Sequence, residues 1–250
     1  MSKHAETVIV IGATSDIARA TARKLASRYN LILAGRDTIE LGAISQDIAI
    51  RCECQITTLN FDALNSENHA ALIEDCFSKA DKVAGAVICH GFLPDQQQAQ
   101  RDWELARKTL EVNFTSCVSL LEPLMERLAA QEYGFIAVIS SVAGDRGRQS
   151  NYLYGAAKGG LSVYLQGLRN RGKHCGVHVM TVKPGFVATQ MTVGLVDPKS
   201  PLVAQPEQVA KDIVRGLKKR KNIVYSRWFW RYIMLMIRSI PEWIFKRLRL

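Results

Sequence analysis

TVIVIGATSDIA, residues 7–18, joins a strand, a tight turn and the start of a helix. Residues 7–11 are all β-branched, which is typical of a strand buried inside a parallel sheet. Gly12 ends this run, and apolar residues recur at helical spacing from Asp16 onward. A strand that turns directly into a helix is the first half of a βαβ unit, so the segment indicates an α/β fold.

Strand-like and helix-like segments alternate through the rest of the chain, joined by short linkers. Strands are predicted at residues 31–34, 56–60, 84–89, 135–140, 177–183 and 222–225, and helices at residues 16–29, 72–79, 103–128, 152–171 and 206–220. This order predicts a single-domain Rossmann fold of the α/β class, a doubly wound parallel sheet flanked by helices. We assign residues 1–221 to this domain and residues 222–250 to a basic, amphipathic, helical C-terminal tail.

The net charge of +10 is concentrated at the C-terminal end of the chain. Residues 218–250 hold ten Lys or Arg residues and one acidic residue, Glu242, so they carry +9 and the remaining chain carries about +1. This distribution predicts a near-neutral body with one basic appendage.

Neither export nor a metal centre is indicated by the sequence. No apolar run reaches the length needed to cross a bilayer, and the N-terminus lacks the pattern of a secretory signal. The six cysteines show no paired CxxC spacing. We therefore predict reduced thiols in a cytoplasmic protein, with no metal site.

The turn after the first strand is a candidate dinucleotide site, since ligands of open α/β sheets lie beyond the carboxyl ends of the strands. A glycine there lets the backbone approach a pyrophosphate, and the following helix offers free N–H groups and the positive end of its dipole. The candidate contacts are Gly12, Thr14, Ser15, Asp16 and Ile17. A structural turn that needs one glycine is the alternative, because Asp16 and Ala18 stand where further glycines are common.

The end of the second strand bears on the choice of cofactor. Gly35 occupies the position where an acid would hold the two ribose hydroxyls, and Arg36 follows it, which suits a 2′-phosphate. This favours NADP(H) over NAD(H); the alternative is that Arg36 is a surface residue beside Asp37. Asp62, after the third strand, is either an adenine contact or an ordinary turn aspartate.

Tyr154 and Lys158 form the candidate catalytic pair. Their i, i+4 spacing puts both side chains on one helix face, where the ammonium would lower the pKa of the phenol toward neutrality. Ser141 is placed to hydrogen-bond a substrate carbonyl oxygen, and Asn113 to hold a water that links Lys158 to solvent. The alternatives are a chance Tyr–Lys pair, a loop cap at Ser141 and an amide at Asn113 that satisfies buried backbone groups.

In combination these motifs resemble the short-chain dehydrogenase/reductase (SDR) family over residues 7–192. The resemblance includes Gly12, Gly91, Val112-Asn113, residues 139–144, Tyr154-xxx-Lys158 and residues 184–189. It implies reversible hydride transfer between a nicotinamide and a carbonyl or carbinol carbon. Tyr154 would be the general acid, with Lys158 lowering its pKa and binding ribose. Ser141 would position the substrate oxygen, and Asn113 would complete the proton relay.

The same resemblance implies further cofactor contacts and a quaternary state. Thr189 would contact the nicotinamide carboxamide, in a pocket lined by Pro184, Gly185 and Val187. His90 and Gly91 stand where family members often have Ala-Gly, and packing beside the adenine and ribose is their implied role. His90 could alternatively titrate near neutral pH. Members of the family form dimers or tetramers through their long helices, which implies a homodimer or homotetramer here.

A narrower resemblance is to the branch that contains decaprenylphosphoryl-2-keto-ribose reductases, which reduce a keto sugar attached to a polyprenyl phosphate. It rests on residues 144–152, on the turn at residues 12–17 and on the basic tail. Arg146 and Arg148 follow Ser141 closely, and their guanidinium groups are suited to hold a substrate phosphate. A solvated, charged loop is an equally open interpretation.

The tail combines aromatic, apolar and basic residues. Between Arg227 and Pro241 the sequence WFWRYIMLMIRSI places Arg231 and Arg238 close to the helical stripe of Arg227. This pattern fits a helix that lies in a membrane interface and contacts anionic lipid. Packing on the same chain or on a partner subunit is the alternative. Nucleic acid is not an expected partner, because nothing else in the chain resembles a nucleic-acid-binding module.

Three hypotheses about function follow. The first is a peripheral membrane enzyme on the inner face of the membrane that uses NADPH to reduce the keto group of a lipid-linked sugar. The second is a soluble ketoacyl or ketone reductase, or an alcohol dehydrogenase. The third is a non-catalytic, nucleotide-binding scaffold tethered to the membrane, against which the set Ser141, Tyr154 and Lys158 argues. Residues 190–205, interrupted by prolines, are expected to form a substrate lid.

Overall fold

The computed structural model describes residues 4–248, and within them nine strands are found. They are β1 (Thr7–Ile11), β2 (Asn30–Gly35), β3 (Ile56–Asn60), β4 (Val83–Ile88), β5 (Gly134–Ile139), β6 (Val177–Pro184), β7 (Phe186–Val187), β8 (Val203–Ala204) and β9 (Ile223–Ser226). β7 pairs with β8, and the other seven form a parallel sheet of order β3-β2-β1-β4-β5-β6-β9. The order reverses between β1 and β4, which creates the crevice where such sheets bind ligands.

Helices cover both faces of this sheet. They are α1 (Asp16–Leu25), α2 (Thr38–Arg51), α3 (His69–Ser78), α4 (Gln96–Ala99), α5 (Trp103–Leu110), α6 (Ser116–Ala130), α7 (Tyr152–His174), α8 (Pro206–Lys218), α9 (Trp230–Ser239) and α10 (Glu242–Phe245). Short 3₁₀ turns occupy Ser66–Asn68, Val142–Asp145 and Gln190–Thr192. The predicted single-domain Rossmann fold is therefore confirmed.

The alternation of side chains along β1 divides the core into two layers. Val8 and Val10 pack with apolar residues of α1, α2 and α8 on one face. Ile9 and Ile11 pack with residues of α3, α6 and α7 on the other. All five residues of β1 are buried, as expected for a central strand covered on both faces.

Two boundaries differ from the sequence prediction. The helix predicted over residues 103–128 is interrupted by a π turn, Glu111–Thr115, between α5 and α6. The domain boundary predicted at residues 221/222 would separate β9 from the sheet to which it belongs. β9 pairs with β6 from Thr181↔Ile223 to Pro184↔Ser226. The tail therefore begins after Ser226, and Arg249, one of its predicted basic residues, lies outside the described residues.

The described residues also bear on the membrane and thiol predictions. Among residues 4–248, no helix has the length and apolar character required to traverse a bilayer. All six cysteines lie in this range and are free thiols.

Candidate active site

A cavity of about 400 Å³ opens at the carboxyl end of the sheet, beside the crevice between β1 and β4. Fourteen of the residues predicted to form the site line it: Thr14, Ser15, Asp16, Ile17, His90, Gly91, Ser141, Arg148, Tyr154, Lys158, Pro184, Gly185, Val187 and Thr189. Five predicted residues do not line it: Gly12, Arg36, Asp62, Asn113 and Arg146. The fold thus brings residues that follow the ends of β1, β4, β5 and β6 into one cavity wall.

Gly12 shapes the turn between β1 and α1. Its φ is +74°, and a Cβ at this position would lie 2.5 Å from the backbone nitrogen of His90. A side chain there would therefore be both strained and in collision with the chain after β4. Ser15 caps α1 by accepting a hydrogen bond from the backbone N–H of Ala18 at 3.3 Å. The first N–H groups of the helix precede any i−4 acceptor and remain directed at the crevice.

Asp16 joins this helix to the opposite side of the cavity. One carboxylate oxygen accepts a hydrogen bond from Arg19 at 2.8 Å, and the other accepts from the backbone N–H of Gln190, also at 2.8 Å. Arg19 itself lines the cavity and lies 3.4 Å from Glu40. Asp16, which stands where a glycine is common, is therefore neutralised by Arg19. Its hydrogen bond with Gln190 also connects α1 to the predicted lid.

Ser141, Tyr154 and Lys158 lie on the wall across from α1. Burial raises the pKa of Tyr154 to about 12, while a hydrogen bond with Ser141 acts to lower it. The ammonium of Lys158 is 5.8 Å from the centroid of the Tyr154 ring and donates to the carbonyl oxygen of Ile139 at 3.0 Å. The predicted fall in the pKa of Tyr154 is thus wrong for this structure, because loss of hydration outweighs the distant ammonium. The phenol is protonated at neutral pH, which is the state required of a general acid.

Lys158 is 2 % exposed and lies deep in the cavity wall. Burial lowers the pKa of its ammonium, against the opposing influence of the neighbouring thiols of Cys117 and Cys89. Those thiols are themselves buried, and burial raises the pKa of Cys89 to about 12. Because both thiols stay neutral, Lys158 is the dominant charge at the base of the cavity.

Asn113 is fully buried within the π turn and acts as a structural amide. Its Nδ2 donates to the carbonyl oxygens of Phe92 at 2.6 Å and Thr109 at 2.9 Å, and its Oδ1 accepts from the N–H of Phe92 at 3.1 Å. A Cβ built on Gly91 would lie 3.2 Å from this Oδ1 and 3.7 Å from Nζ of Lys158. Asn113 therefore holds the chain after β4 in place beside Lys158.

His90 lies in the cavity wall, with its ring packed against neighbouring side chains. Its Nε2 forms a hydrogen bond with Oγ of Ser116 at 2.8 Å, and its ring packs on Phe61 with centroids 5.1 Å apart. Burial and then the nearby charge of Lys158 lower the pKa of His90 to about 3. The geometry thus argues against titration near neutral pH, and packing beside an adenine and ribose stays a prediction.

We expect His90 to make the protein less stable in acid. Its pKa is about 3 in the folded state and 6.5 when unfolded, so between these values the unfolded state binds the extra proton. The free energy of unfolding should therefore fall as pH drops below 6.5, by about 1.4 kcal/mol per pH unit from this residue. Urea unfolding at pH 7 and pH 4.5 should show a smaller decrease in His90→Asn than in the wild type. The exposed His174→Asn should keep the wild-type decrease, and equal decreases in all three proteins would contradict the assignment.

The chain after β6 forms the third side of the cavity. Thr189 begins the Gln190–Thr192 turn, where Thr192 donates to its carbonyl oxygen and accepts from its N–H, each at 3.1 Å. Gly185 lies flat against the indole of Trp230, and a Cβ on it would be 2.0 Å from Cε2 of that ring. Only glycine permits this approach. A tail residue is therefore part of the predicted nicotinamide pocket.

Arg36 and Asp62 lie beyond the ends of β2 and β3 and do not line the cavity. Arg36 directly follows β2 and is exposed to solvent. Asp62 accepts a hydrogen bond from the N–H of Leu64 at 3.0 Å, as an aspartate does in an ordinary turn. The turn interpretation of Asp62 is therefore the one that the structure shows.

Arg146 holds the C-terminal tail, so its predicted role as a phosphate ligand is wrong. Its Nη1 donates to the carbonyl oxygens of Ile237, Arg238 and Ile240 at 2.7, 3.1 and 2.6 Å, and Nη2 lies 3.0 Å from Glu242. The carbonyl groups at a helix end attract a cation, and a guanidinium can satisfy several of them together. Arg148, two residues later, does line the cavity.

The sequence analysis missed several lining residues. The most consequential is Trp230, which is 5 % exposed and packs with Val142 and Met234 in a small apolar cluster next to Ser141. Arg19, Asn151 and Met191 also line the cavity. Nothing in the sequence around Trp230 indicates that this tail residue reaches the site. Asn151 could have been found, because it lies three residues before Tyr154 at the start of the same helix.

Comparisons with known proteins agree with this geometry. Residues 6–199 match the family model described as short chain dehydrogenase. An uncharacterized oxidoreductase of Mycobacterium tuberculosis is 31% identical, over 96% of this chain and 96% of its own length. A solved short-chain dehydrogenase from Sphingobium yanoikuyae in complex with NADPH superimposes with a TM-score of 0.80, at 21% identity and 95% and 97% coverage of the two chains. Actinorhodin polyketide ketoreductase with NADPH gives 0.76, at 21% identity and 84% and 89% coverage.

Proposed function

The chain belongs to the short-chain dehydrogenase/reductase family, and we propose from this premise that it uses NADPH to reduce the keto group of an oxygen-rich substrate. The observation that carries the proposal is the shared cavity wall of Ser141, Tyr154 and Lys158. When bound, NADPH supplies the hydride that reaches the carbonyl carbon. The chain itself supplies the proton and the groups that hold the carbonyl oxygen.

Each of the three residues has a distinct part in that proton transfer. In the free protein the hydroxyl of Ser141 and the phenol of Tyr154 are hydrogen-bonded to each other. When substrate is bound, both O–H groups would turn to donate to its carbonyl oxygen. As the carbonyl carbon is reduced, the O–H bond of Tyr154 breaks and its proton passes to the substrate oxygen, giving the alcohol. The ammonium of Lys158 stabilises the phenolate left behind, which is reprotonated from solvent.

The residues of the crevice fit a dinucleotide. Gly12 allows the turn before α1 to pack closely against the backbone of His90, and the free N–H groups at the N-terminus of α1 suit a pyrophosphate. Residues 184–187 and Thr189 would hold the nicotinamide. Gly35 and Arg36 support a 2′-phosphate, and both solved neighbours described above are complexes with NADPH.

Cofactor preference provides the first test of this proposal. We expect NADPH to bind at least about 10-fold more tightly than NADH, because a charge-assisted contact of Arg36 with the 2′-phosphate contributes about 1.5–3 kcal/mol. Arg36→Ala should abolish this preference by weakening NADPH alone, in titrations followed by protein fluorescence. Arg28→Ala, an exposed arginine near the far end of α1, should bind as the wild type does. Equal affinity of the wild type for both cofactors would refute the assignment of NADP(H).

An amphiphilic substrate is supported by the rim of the cavity. The segment after β7 exposes Met191, Val193 and Leu195, of which Val193 and Leu195 are 71% and 66% exposed. Apolar side chains held in water beside a polar catalytic wall suit a substrate with a lipid chain and a polar head. We therefore propose the keto group of a lipid-linked sugar as the reacting group.

The tail supports contact with an anionic membrane surface. The inner face of α9 packs through Trp230 and Met234, while Trp228, Tyr232, Leu235, Met236 and Trp243 remain more than half exposed. Exposed Arg231, Arg238, Lys246 and Arg247 surround these apolar residues. Exposed aromatic residues beside cations favour an interfacial position. This proposal puts a cytoplasmic, peripheral protein on the inner membrane face, and family membership supports a homodimer or homotetramer.

We expect the protein to co-sediment with phosphatidylserine-containing vesicles and to be released by 0.5 M salt. Trp228→Ser together with Trp243→Ser should reduce the bound fraction about 10-fold or more, because each exposed indole buries a large apolar area in the interface. Truncation of the tail is unsuitable, since it would also remove Trp230 from the cavity wall. The matched control is Ile39→Ser with Ile50→Ser, which removes two residues that are each 86% exposed on α2. Equal binding by the two double variants would overturn the membrane proposal.

A further inference from the structure

Four residues that line the same cavity as Tyr154 each carry a buried polar atom that finds no hydrogen-bond partner within residues 4–248. The atoms are Nδ1 of His90, Nε of Arg148, Oδ1 of Asn151 and Nε1 of Trp230. His90 lies among the proposed cofactor contacts, which leaves Arg148, Asn151 and Trp230. A buried donor or acceptor without a partner destabilises a protein by about 1–3 kcal/mol, and such atoms are uncommon. Their clustering indicates that a ligand supplies the missing partners.

Arg148 also lacks a charge partner among the described residues. Burial lowers the pKa of its guanidinium, and no acidic side chain within residues 4–248 forms an ion pair with it. The nearest acid in the sequence, Asp145, already accepts from Lys183 at 2.5 Å and from Tyr225 at 2.9 Å. A partly buried arginine without a counter-ion, at the edge of a catalytic cavity, is suited to an anionic substituent of the substrate.

Asn151 occupies the position where its side chain would normally cap α7. Asparagine is among the preferred residues at a helix N-cap, yet Asn151 forms no side-chain capping hydrogen bond. Its Oδ1 is instead buried without a partner in the cavity wall. Because Asn151 does not form the capping hydrogen bond, its side-chain oxygen is available to accept from a substrate hydroxyl.

Trp230 is fixed in place by its surroundings. Its ring packs edge-to-face on Phe186 with centroids 5.7 Å apart, lies against Gly185 and contacts the cluster of Val142 and Met234. Nε1 is therefore a preorganised N–H donor next to the residues proposed to hold the nicotinamide. This donor comes from the tail, so the tail contributes to the substrate cavity as well as to the surface.

We propose that Arg148, Asn151 and Trp230 form a substrate subsite that recognises a phosphorylated, hydroxyl-bearing ketone. A phosphate accepts hydrogen bonds from Arg148 and Trp230, and a sugar hydroxyl donates to Asn151, while Ser141 and Tyr154 hold the carbonyl oxygen. This inference rests on the proposed reduction and narrows its substrate class. A phosphate monoester and a lipid-linked phosphodiester share this chemistry, and the test below separates them.

Binding of product-like ligands tests the subsite without turnover. In the complex with NADP⁺, calorimetry should give wild-type affinities in the order ribitol 5-phosphate, ribitol, pentan-2-ol. Arg148→Gln should weaken the binding of ribitol 5-phosphate about 10- to 100-fold and change the affinity for ribitol by less than about 2-fold. Trp230→Phe, which keeps an aromatic ring and removes the N–H, should cause a smaller loss of affinity for ribitol 5-phosphate. Asn151→Leu should reduce the preference for ribitol over pentan-2-ol. Arg28→Gln is the matched control.

Three outcomes would overturn the subsite: equal wild-type affinity for the three ligands, no effect of Arg148→Gln, or a loss of NADP⁺ affinity in that variant with ribitol 5-phosphate unaffected. The last would mean that Arg148 serves the cofactor. If octyl ribosyl phosphate binds more tightly than ribitol 5-phosphate, the subsite is supported and its natural substrate is a lipid-linked phosphodiester. If ribitol 5-phosphate binds more tightly, the subsite is supported and its natural substrate is a free sugar phosphate. Failure of the proposed reduction is seen separately, as no transfer of hydride from NADPH to any ketone tested.

Discussion

Tyr154→Phe should lower kcat for carbonyl reduction at least about 1,000-fold while changing the Kd for NADPH less than about 2-fold. The substitution removes the proton that the substrate oxygen receives and leaves the ring in the cavity wall. A general acid contributes about 10²- to 10⁴-fold to a rate. Stopped-flow NADPH oxidation gives kcat, and fluorescence titration gives the Kd.

Tyr152→Phe is the matched control for this variant. Tyr152 precedes Tyr154 on α7 by two residues, is 42% exposed and hydrogen-bonds Gln100 rather than Ser141. It should retain wild-type kcat and Kd. A Tyr154→Phe enzyme with kcat within 10-fold of the wild type would remove Tyr154 from the mechanism, and the proton would have to come from elsewhere.

Arg146→Ala should lower the free energy of unfolding by about 2–4 kcal/mol and reduce kcat/KM at the same time. The guanidinium satisfies three carbonyl groups near the end of α9 and the Glu242 carboxylate, and it stacks 3.7 Å above the Phe245 ring. Hydrogen bonds to a charged group contribute about 1.5–3 kcal/mol each, although not additively. Loss of this anchor frees α9, and with it Trp230 from the cavity wall.

Urea unfolding and steady-state kinetics together test this prediction. Arg238→Ala removes an exposed arginine from the same helix and should change stability by less than about 0.5 kcal/mol. Arg146→Lys should lie between Ala and the wild type, because an ammonium cannot reach all of these acceptors together. If Arg146→Ala is as stable and as active as the wild type, Arg146 does not anchor the tail and the tail does not form part of the cavity wall.

The fold was predictable where local pattern and burial agree. The β-branched run of β1 and the alternation of strands with helices identify a doubly wound sheet without any long-range information. Helix α2, over Thr38–Arg51, was not predicted, because its apolar residues are spread around the helix. Ile39 and Ile50 are exposed while Leu41, Ile44 and Ile48 are buried, so no single stripe stands out.

The shared position of Tyr154 and Lys158 in one cavity wall was predictable for a similar reason, since the two residues are neighbours on one helix. The different roles of Arg146 and Arg148 could not be predicted, because the two arginines are only two residues apart in one loop. What distinguishes them is that Arg146 contacts the end of α9. The contacts of Arg146 span more than 90 residues of sequence. The raised pKa of Tyr154 likewise follows from burial in the assembled cavity, whereas helix spacing alone predicted the opposite direction.

The most direct test of the central claim follows deuterium from cofactor to substrate. The wild-type enzyme is incubated with 4-deuterated NADPH of each stereochemistry and with five-carbon ketones that include ribulose 5-phosphate and ribulose, and products are analysed by mass spectrometry. We predict deuterium at the carbinol carbon from one stereoisomer only, in a 1:1 ratio with NADPH consumed, and none above background with Tyr154→Phe. Deuterium transfer that is equal in the two enzymes, or NADPH that binds but transfers deuterium to none of these ketones, would contradict the account.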